Sequence, residues 1–125
     1  MKITLCGSAR FEKAYHVWNK KLTLRGHVVY GLSTYPSIEG GNKDWHNNSD
    51  SKVLLDLVHL AKIDGSDAIL VLNEGGYIGD STKKEIMWAC IKDRDIYALN
   101  TESVEELFRT AFGRIVGVMS SECLL

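Results

Sequence analysis

With 125 residues the chain has room for one domain (1–125), and 45% hydrophobic against 25% charged residues is an ordinary globular balance. Fifteen Lys and Arg face sixteen Asp and Glu, a net charge of −1; this lacks the basic excess of a nucleic-acid binder, so a duplex is excluded as a partner while a nucleotide-sized ligand is not. No apolar run approaches the roughly 20 residues of a membrane span.

The N-terminus reads at once as a strand, Lys2 to Cys6, with no signal-peptide pattern before it. Gly7-Ser8-Ala9-Arg10 breaks the strand, and Phe11, Tyr15, Trp18 and Leu22 then mark one stripe of a helix, stopped at Gly26. His27 to Tyr30 is a second short strand. From Gly31 to Asn48 the pattern dissolves into a long polar loop containing Trp45 and His46. A helix is expected from Ser51 to Ile63, with Leu54, Leu55, Val58 and Ala61 as its apolar stripe. Ala68 to Leu72 is unbroken and apolar, which suits a central parallel strand covered on both faces.

A loop with Gly75, Gly76 and Gly79 follows, then a helix from about Thr82 to Lys92, a strand from Ile96 to Leu99, and a capping-box helix opening at Ser103-Val104-Glu105-Glu106. Ile115 to Met119 adds a fifth strand or an arm. Strands alternating with helices at this spacing indicate an α/β three-layer sandwich around a central parallel sheet, flavodoxin-like or Rossmann-like. Cys6, Cys90 and Cys123 form no CxxC pair, so no disulfide frame, metal or cofactor is expected, and a reduced cytoplasmic setting is the simplest reading.

In such a sheet a strand feeding a glycine loop and a helix start is where a ligand sits. Glu85, one turn inside that helix, has two readings. Thr82-x-x-Glu85 is a capping-box pattern, in which the acid merely caps its own helix. Alternatively, the helix dipole lowers its pKa and keeps it anionic, ready to attack a sugar C1′. Asp80 is an N-cap or a ligand-facing acid, and Asp67 a strand-edge residue; Asp64, beside Lys62, is a solvated helix end. His59 and His46 are structural or serve as acid–base groups. Gly7, Ser8 and Arg10 form a plain turn or a cradle for a phosphate or sugar hydroxyl. Tyr77, Trp45 and Trp88 offer aromatic faces to a base, Trp88 more as a core or interface residue. Cys6 is a small buried hydrophobe.

Three strings resemble one known family: LCGSAR after the first strand, H-x-x-K-I-D-x-x-D from His59 to Asp67, and V-L-N-x-G-G-Y-I-G-x-S-T-x-x-E-I from Val71 to Ile86. Together, over about residues 2 to 99, they look like the nucleoside 2-deoxyribosyltransferase-like superfamily, closest to a branch of small bacterial and phage proteins. The resemblance implies cleavage or transfer at the N-glycosidic bond of a (deoxy)nucleoside or its monophosphate, with Glu85 as nucleophile. Asp80 or His59 would assist the leaving base. Gly7, Ser8, Arg10, Gly76, Tyr77 and Ser81 would bind substrate, in a homodimer or higher homo-oligomer. His59 stands where characterised members carry an aspartate, and Ser81 and Lys83 stand where they carry small residues. The rival expectation is a non-catalytic module that binds a nucleotide or nucleotide derivative.

Overall fold

The computed structural model describes residues 1–33, 49–99, 109 and 114–120. Five parallel strands, β1 (Lys2–Cys6), β2 (Val28–Tyr30), β3 (Ala68–Val71), β4 (Asp95–Leu99) and β5 (Ile115–Met119), form one sheet in the order β2-β1-β3-β4-β5. Among the described residues the α-helices of more than one turn are α1 (Glu12–Thr23), α2 (Ser49–Asp64) and α3 (Asp80–Ile91). This is the flavodoxin-like order, in which the chain reverses its direction of travel across the sheet between β1 and β3.

Alternation along each strand sends side chains to opposite faces and builds two cores. Ile3 and Leu5 of β1 join Leu70 and Leu72 under Tyr15, Trp18 and Leu22 of α1. Cys6, Ile69 and Val71 face the other way, against Ile63 of α2 and Ile86 and Ala89 of α3. β3 is buried at every position, as its unbroken apolar run requires. Residues 115–119 are a true fifth strand, paired in parallel with β4.

Of the apolar stripe expected on α2, only Leu55 turns inward. Leu54 and Val58 are 63% and 46% exposed, while Leu55, His59 and Ile63 turn inward. The inward face is fixed by Ile63 at the helix end, which packs against the sheet, so positions four and eight residues before it follow. The capping-box helix from Ser103, Trp45 and His46 lie outside the described residues.

Polar side chains tie the carboxyl edge of the sheet together. Buried Asn73 accepts from the Leu99 amide at 2.8 Å and donates to the Leu99 carbonyl at 3.4 Å. At the opposite, amino edge of the sheet Asp67 is the strand-edge residue expected, accepting from the Lys2 amide at 2.8 Å. Tyr15 donates its hydroxyl to the Gly7 carbonyl at 2.7 Å. Gly7 itself runs close to β3: a Cβ there would lie 3.1 Å from both Cβ and the carbonyl oxygen of Leu72. Asn73→Ala strips two buried backbone groups of their partner, so it is expected to lower stability by about 1–3 kcal/mol in denaturant unfolding.

Candidate active site

The loops leaving β1 and β3 part at the switch point, and a cavity of about 610 Å³ opens between them. Its size is within the range of small-molecule sites. Gly7, Ser8 and Arg10 wall it from the β1 side, Lys52, Asp56 and His59 from α2, and Tyr77, Asp80, Ser81 and Glu85 from the β3 side. Every expected site residue except Gly76 therefore lines one hollow. Gly76 is displaced from the wall because, with Gly75, it takes a positive φ (79° and 62°) and turns the chain so that Tyr77 faces inward.

At the mouth, Ser8 accepts from the Arg10 amide at 3.3 Å and from Arg10 Nε at 3.3 Å. The Arg10 guanidinium lies 3.8 Å over the Tyr77 ring, and Phe11 meets the same ring edge-on at 6.0 Å. Cation, hydroxyl and aromatic ring thus form one preassembled unit.

The inner wall is different in kind. α3 begins at Asp80 after the N-cap Gly79, three residues before the position the Thr82 capping box requires. Thr82 is already inside the helix, so the box does not form, and Asp80 is the first helical residue. Glu85 instead projects inward, 9% exposed, and its Oε2 is buried with no hydrogen-bond partner. Burial therefore overrides the helix dipole: the carboxyl is pushed up from 4.5 to about 8, first by desolvation and then by the Asp56 charge, with Lys52 pulling the other way. The expectation of an anionic Glu85 is corrected; at neutral pH the acid is mostly protonated.

His59 stands beside it, Nε2 to Oε2 3.7 Å. Desolvation, and then the nearby Lys62 charge, lower the imidazole to about 4, so this close pair is neutral rather than an ion pair. His59 Nε2 lies 3.0 Å from the Leu5 carbonyl; a carbonyl only accepts, so Nε2 carries the hydrogen. A neutral imidazole tied to the backbone is a poor proton donor, which weighs against His59 as the general acid. It packs beside Glu85.

Lys52 and Asp56 escaped the sequence reading. Lys52 Nζ donates to Asp56 at 3.1 Å and to Ser81 at 3.2 Å, tying α2 to the start of α3 across the cavity. The signal was present: Lys52, Asp56 and His59 recur at i, i+4 and i+7, one face of one helix. Lys62 donates to the Gly31 carbonyl at 2.8 Å and to Ser33 at 2.9 Å, pinning the end of the described β2 segment. Trp88 does not line the cavity; its Nε1 donates to Asp64 at 2.9 Å, so Asp64 is more than a solvated helix end.

By sequence the chain matches no family model and no curated protein. Its fold matches that of a CMP N-glycosidase of Clostridium botulinum, with a TM-score of 0.62 and 16% identity over 97% of this chain and 90% of that one. It also matches a 2-deoxyribosyltransferase of the psychrotolerant bacterium Bacillus psychrosaccharolyticus, with a TM-score of 0.63 and 18% identity over 97% and 87% of the two chains. The fold is thus the one expected from the superfamily resemblance. No helix among the described residues is long and apolar enough to cross a membrane.

The two buried groups pull stability in opposite directions. Glu85 binds its proton more tightly folded (about 8) than unfolded (4.5), so it lowers stability as pH rises from 4.5 through 8. His59 binds its proton less tightly folded (about 4) than unfolded (6.5), so it lowers stability as pH falls from 6.5 through 4. Between 4.5 and 6.5 the slopes offset, and above 6.5 only the Glu85 loss remains. Glu85→Gln is expected to remove that alkaline loss, gaining on the wild type by on the order of a few kcal/mol between pH 6 and 9 in urea unfolding.

Proposed function

We propose that the chain breaks the N-glycosidic bond of a (deoxy)nucleoside or nucleoside monophosphate, or exchanges the base across it, with Glu85 as nucleophile. The observation that carries this reading is the presentation of a buried, unpartnered carboxyl to a nucleoside-sized cavity at the β1/β3 switch point. The fold shared with a CMP N-glycosidase and a 2-deoxyribosyltransferase supports it.

In this mechanism ionised Glu85 attacks C1′ as the bond to the base breaks, and the bonding pair leaves with the base nitrogen. Asp80, on the cavity wall at the start of α3, passes a proton to that nitrogen. Water, or a second base, then attacks C1′ and frees the Glu85 carboxylate; the proton it sheds returns to Asp80. Arg10 and Ser8 hold a sugar hydroxyl or a 5′-phosphate, which a guanidinium suits. Arg10 already covers one face of Tyr77, so a nucleobase takes the other. Lys52 favours the ionised nucleophile while Asp56 opposes it; His59 packs beside the carboxyl. A homodimer or higher homo-oligomer in a reduced cytoplasm belongs to the same reading, with the exposed Leu54, Leu57 and Val58 of α2 as its contact face.

One observation favours a second reading, a non-catalytic nucleotide-binding module. A Glu85 held near 8 is a hydrogen-bond donor at neutral pH, fit to grip a ligand acceptor rather than attack a sugar.

Incubation with a panel of deoxynucleosides and their monophosphates, followed by chromatography for free base, separates the two. Base release is expected, falling by roughly 10³-fold or more in Glu85→Ala. The ionised fraction of Glu85, followed by its infrared carboxylate absorption, rises with pH through about 8. Lys52→Ala moves that rise to higher pH and Asp56→Asn to lower pH. Undiminished activity in Glu85→Ala would refute the nucleophile. A ligand that stabilises the chain by about 2.7 kcal/mol at 100 times its Kd, yet is not turned over in hours, establishes the binding module instead.

A further inference from the structure

Cys6 closes β1, His59 faces inward from α2, and Glu85 faces inward from α3. Their Sγ, Nε2 and carboxylate oxygen lie within 4.8 Å of one another, with Sγ to Nε2 at 3.7 Å and Nε2 to Oε2 at 3.7 Å. A tetrahedral zinc ion, with bonds of about 2.3 Å to sulfur and about 2.0–2.2 Å to nitrogen and oxygen, holds such donors roughly 3.3–3.6 Å apart. Side-chain movements of less than roughly an ångström therefore close the three around an ion. The independent mark is Glu85 Oε2, which is buried and lacks any hydrogen-bond partner. A buried polar atom left unsatisfied is costly unless something meets it.

We propose that Cys6, His59 and Glu85 form a three-ligand site for a soft divalent cation of the zinc type, with the fourth position open to the cavity. Sulfur and imidazole donors favour zinc over magnesium or calcium, which take sets of oxygen ligands. Binding displaces one proton from the Cys6 thiol and one from the Glu85 carboxyl. The His59 hydrogen moves to Nδ1, which frees the Nε2 lone pair and gives up the bond to the Leu5 carbonyl. Occupancy engages the same Glu85 oxygen that would attack C1′, so the ion turns off any chemistry there. The site itself does not depend on that chemistry.

The test uses the full chain, stripped with chelator and titrated with Co²⁺ as a visible stand-in for Zn²⁺. One equivalent is expected to produce a thiolate-to-cobalt charge-transfer band and tetrahedral ligand-field bands, both erased when Zn²⁺ is added. Cys6→Ser abolishes the charge-transfer band, while Cys90→Ser and Cys123→Ser keep it. Circular dichroism reports whether each variant folds. Glu85→Gln, which removes a buried acid at nearly constant shape, tests the site even if Cys6→Ser is unfolded; its Co²⁺ affinity falls at least roughly tenfold. Absence of the band at one equivalent, its survival in folded Cys6→Ser, or unchanged affinity in Glu85→Gln overturns the site. Because no nucleotide is present, a failure of the glycosidic reading leaves this result untouched.

Discussion

A carboxyl group withheld from water, with its buried Oε2 meeting no donor, is the constraint around which the rest of the site is arranged. Keeping Glu85 inside requires a charge-neutral neighbourhood, and the chain supplies one. His59 is itself desolvated and engaged with the Leu5 carbonyl, so it contributes shape rather than charge. The charged groups stand farther out, on the cavity side: Lys52 favours ionisation and Asp56 opposes it. A small change in either balance shifts the acid between a neutral donor and an anion, because the low-dielectric setting magnifies every nearby charge.

The two walls divide the work between them. The β1 loop, with Gly7 pressed against Leu72 and held by Tyr15, is rigid and offers a cation, a hydroxyl and an aromatic face at the mouth. The α2–α3 wall is joined by Lys52 bridging to Ser81 and supplies the acid. The sheet edge between them is braced by Asn73, which spans from the end of β3 to Leu99 of β4. This is how a chain of 125 residues sets a nucleoside-sized hollow on rigid strand ends. The parallel sheet brings both loops to one edge, and the switch point keeps them apart.

Three features of the site run against simple local rules, and each has the same origin. A helix N-terminus should lower the pKa of a nearby acid, yet Glu85 is raised, since desolvation exceeds the dipole over a full turn. A Thr-x-x-Glu pattern should cap a helix, yet α3 starts earlier, at Asp80, where Gly79 already serves as the cap residue. A leucine-rich helix should bury its leucines, yet α2 exposes Leu54 and turns His59 inward. In each, packing against distant segments outweighs a preference set by neighbouring residues.

Much of the architecture was legible in the residue order. Unbroken Ala68 to Leu72, the Phe11–Leu22 stripe and the glycine stop at Gly26 each follow from neighbours a few residues apart, so strands and helices could be placed in sequence. The loop after β1 and the glycine loop before α3 could be named as the ligand edge for the same reason, since a parallel sheet puts both at its carboxyl end. What the sequence could not disclose is whatever depends on burial. That burial pushes the Glu85 carboxyl up and the His59 imidazole down, and that Cys6 meets them both although 53 residues separate it from His59, were decided only when three distant segments packed together. Burial and electrostatic environment belong to the assembled volume, not to any stretch of chain within it.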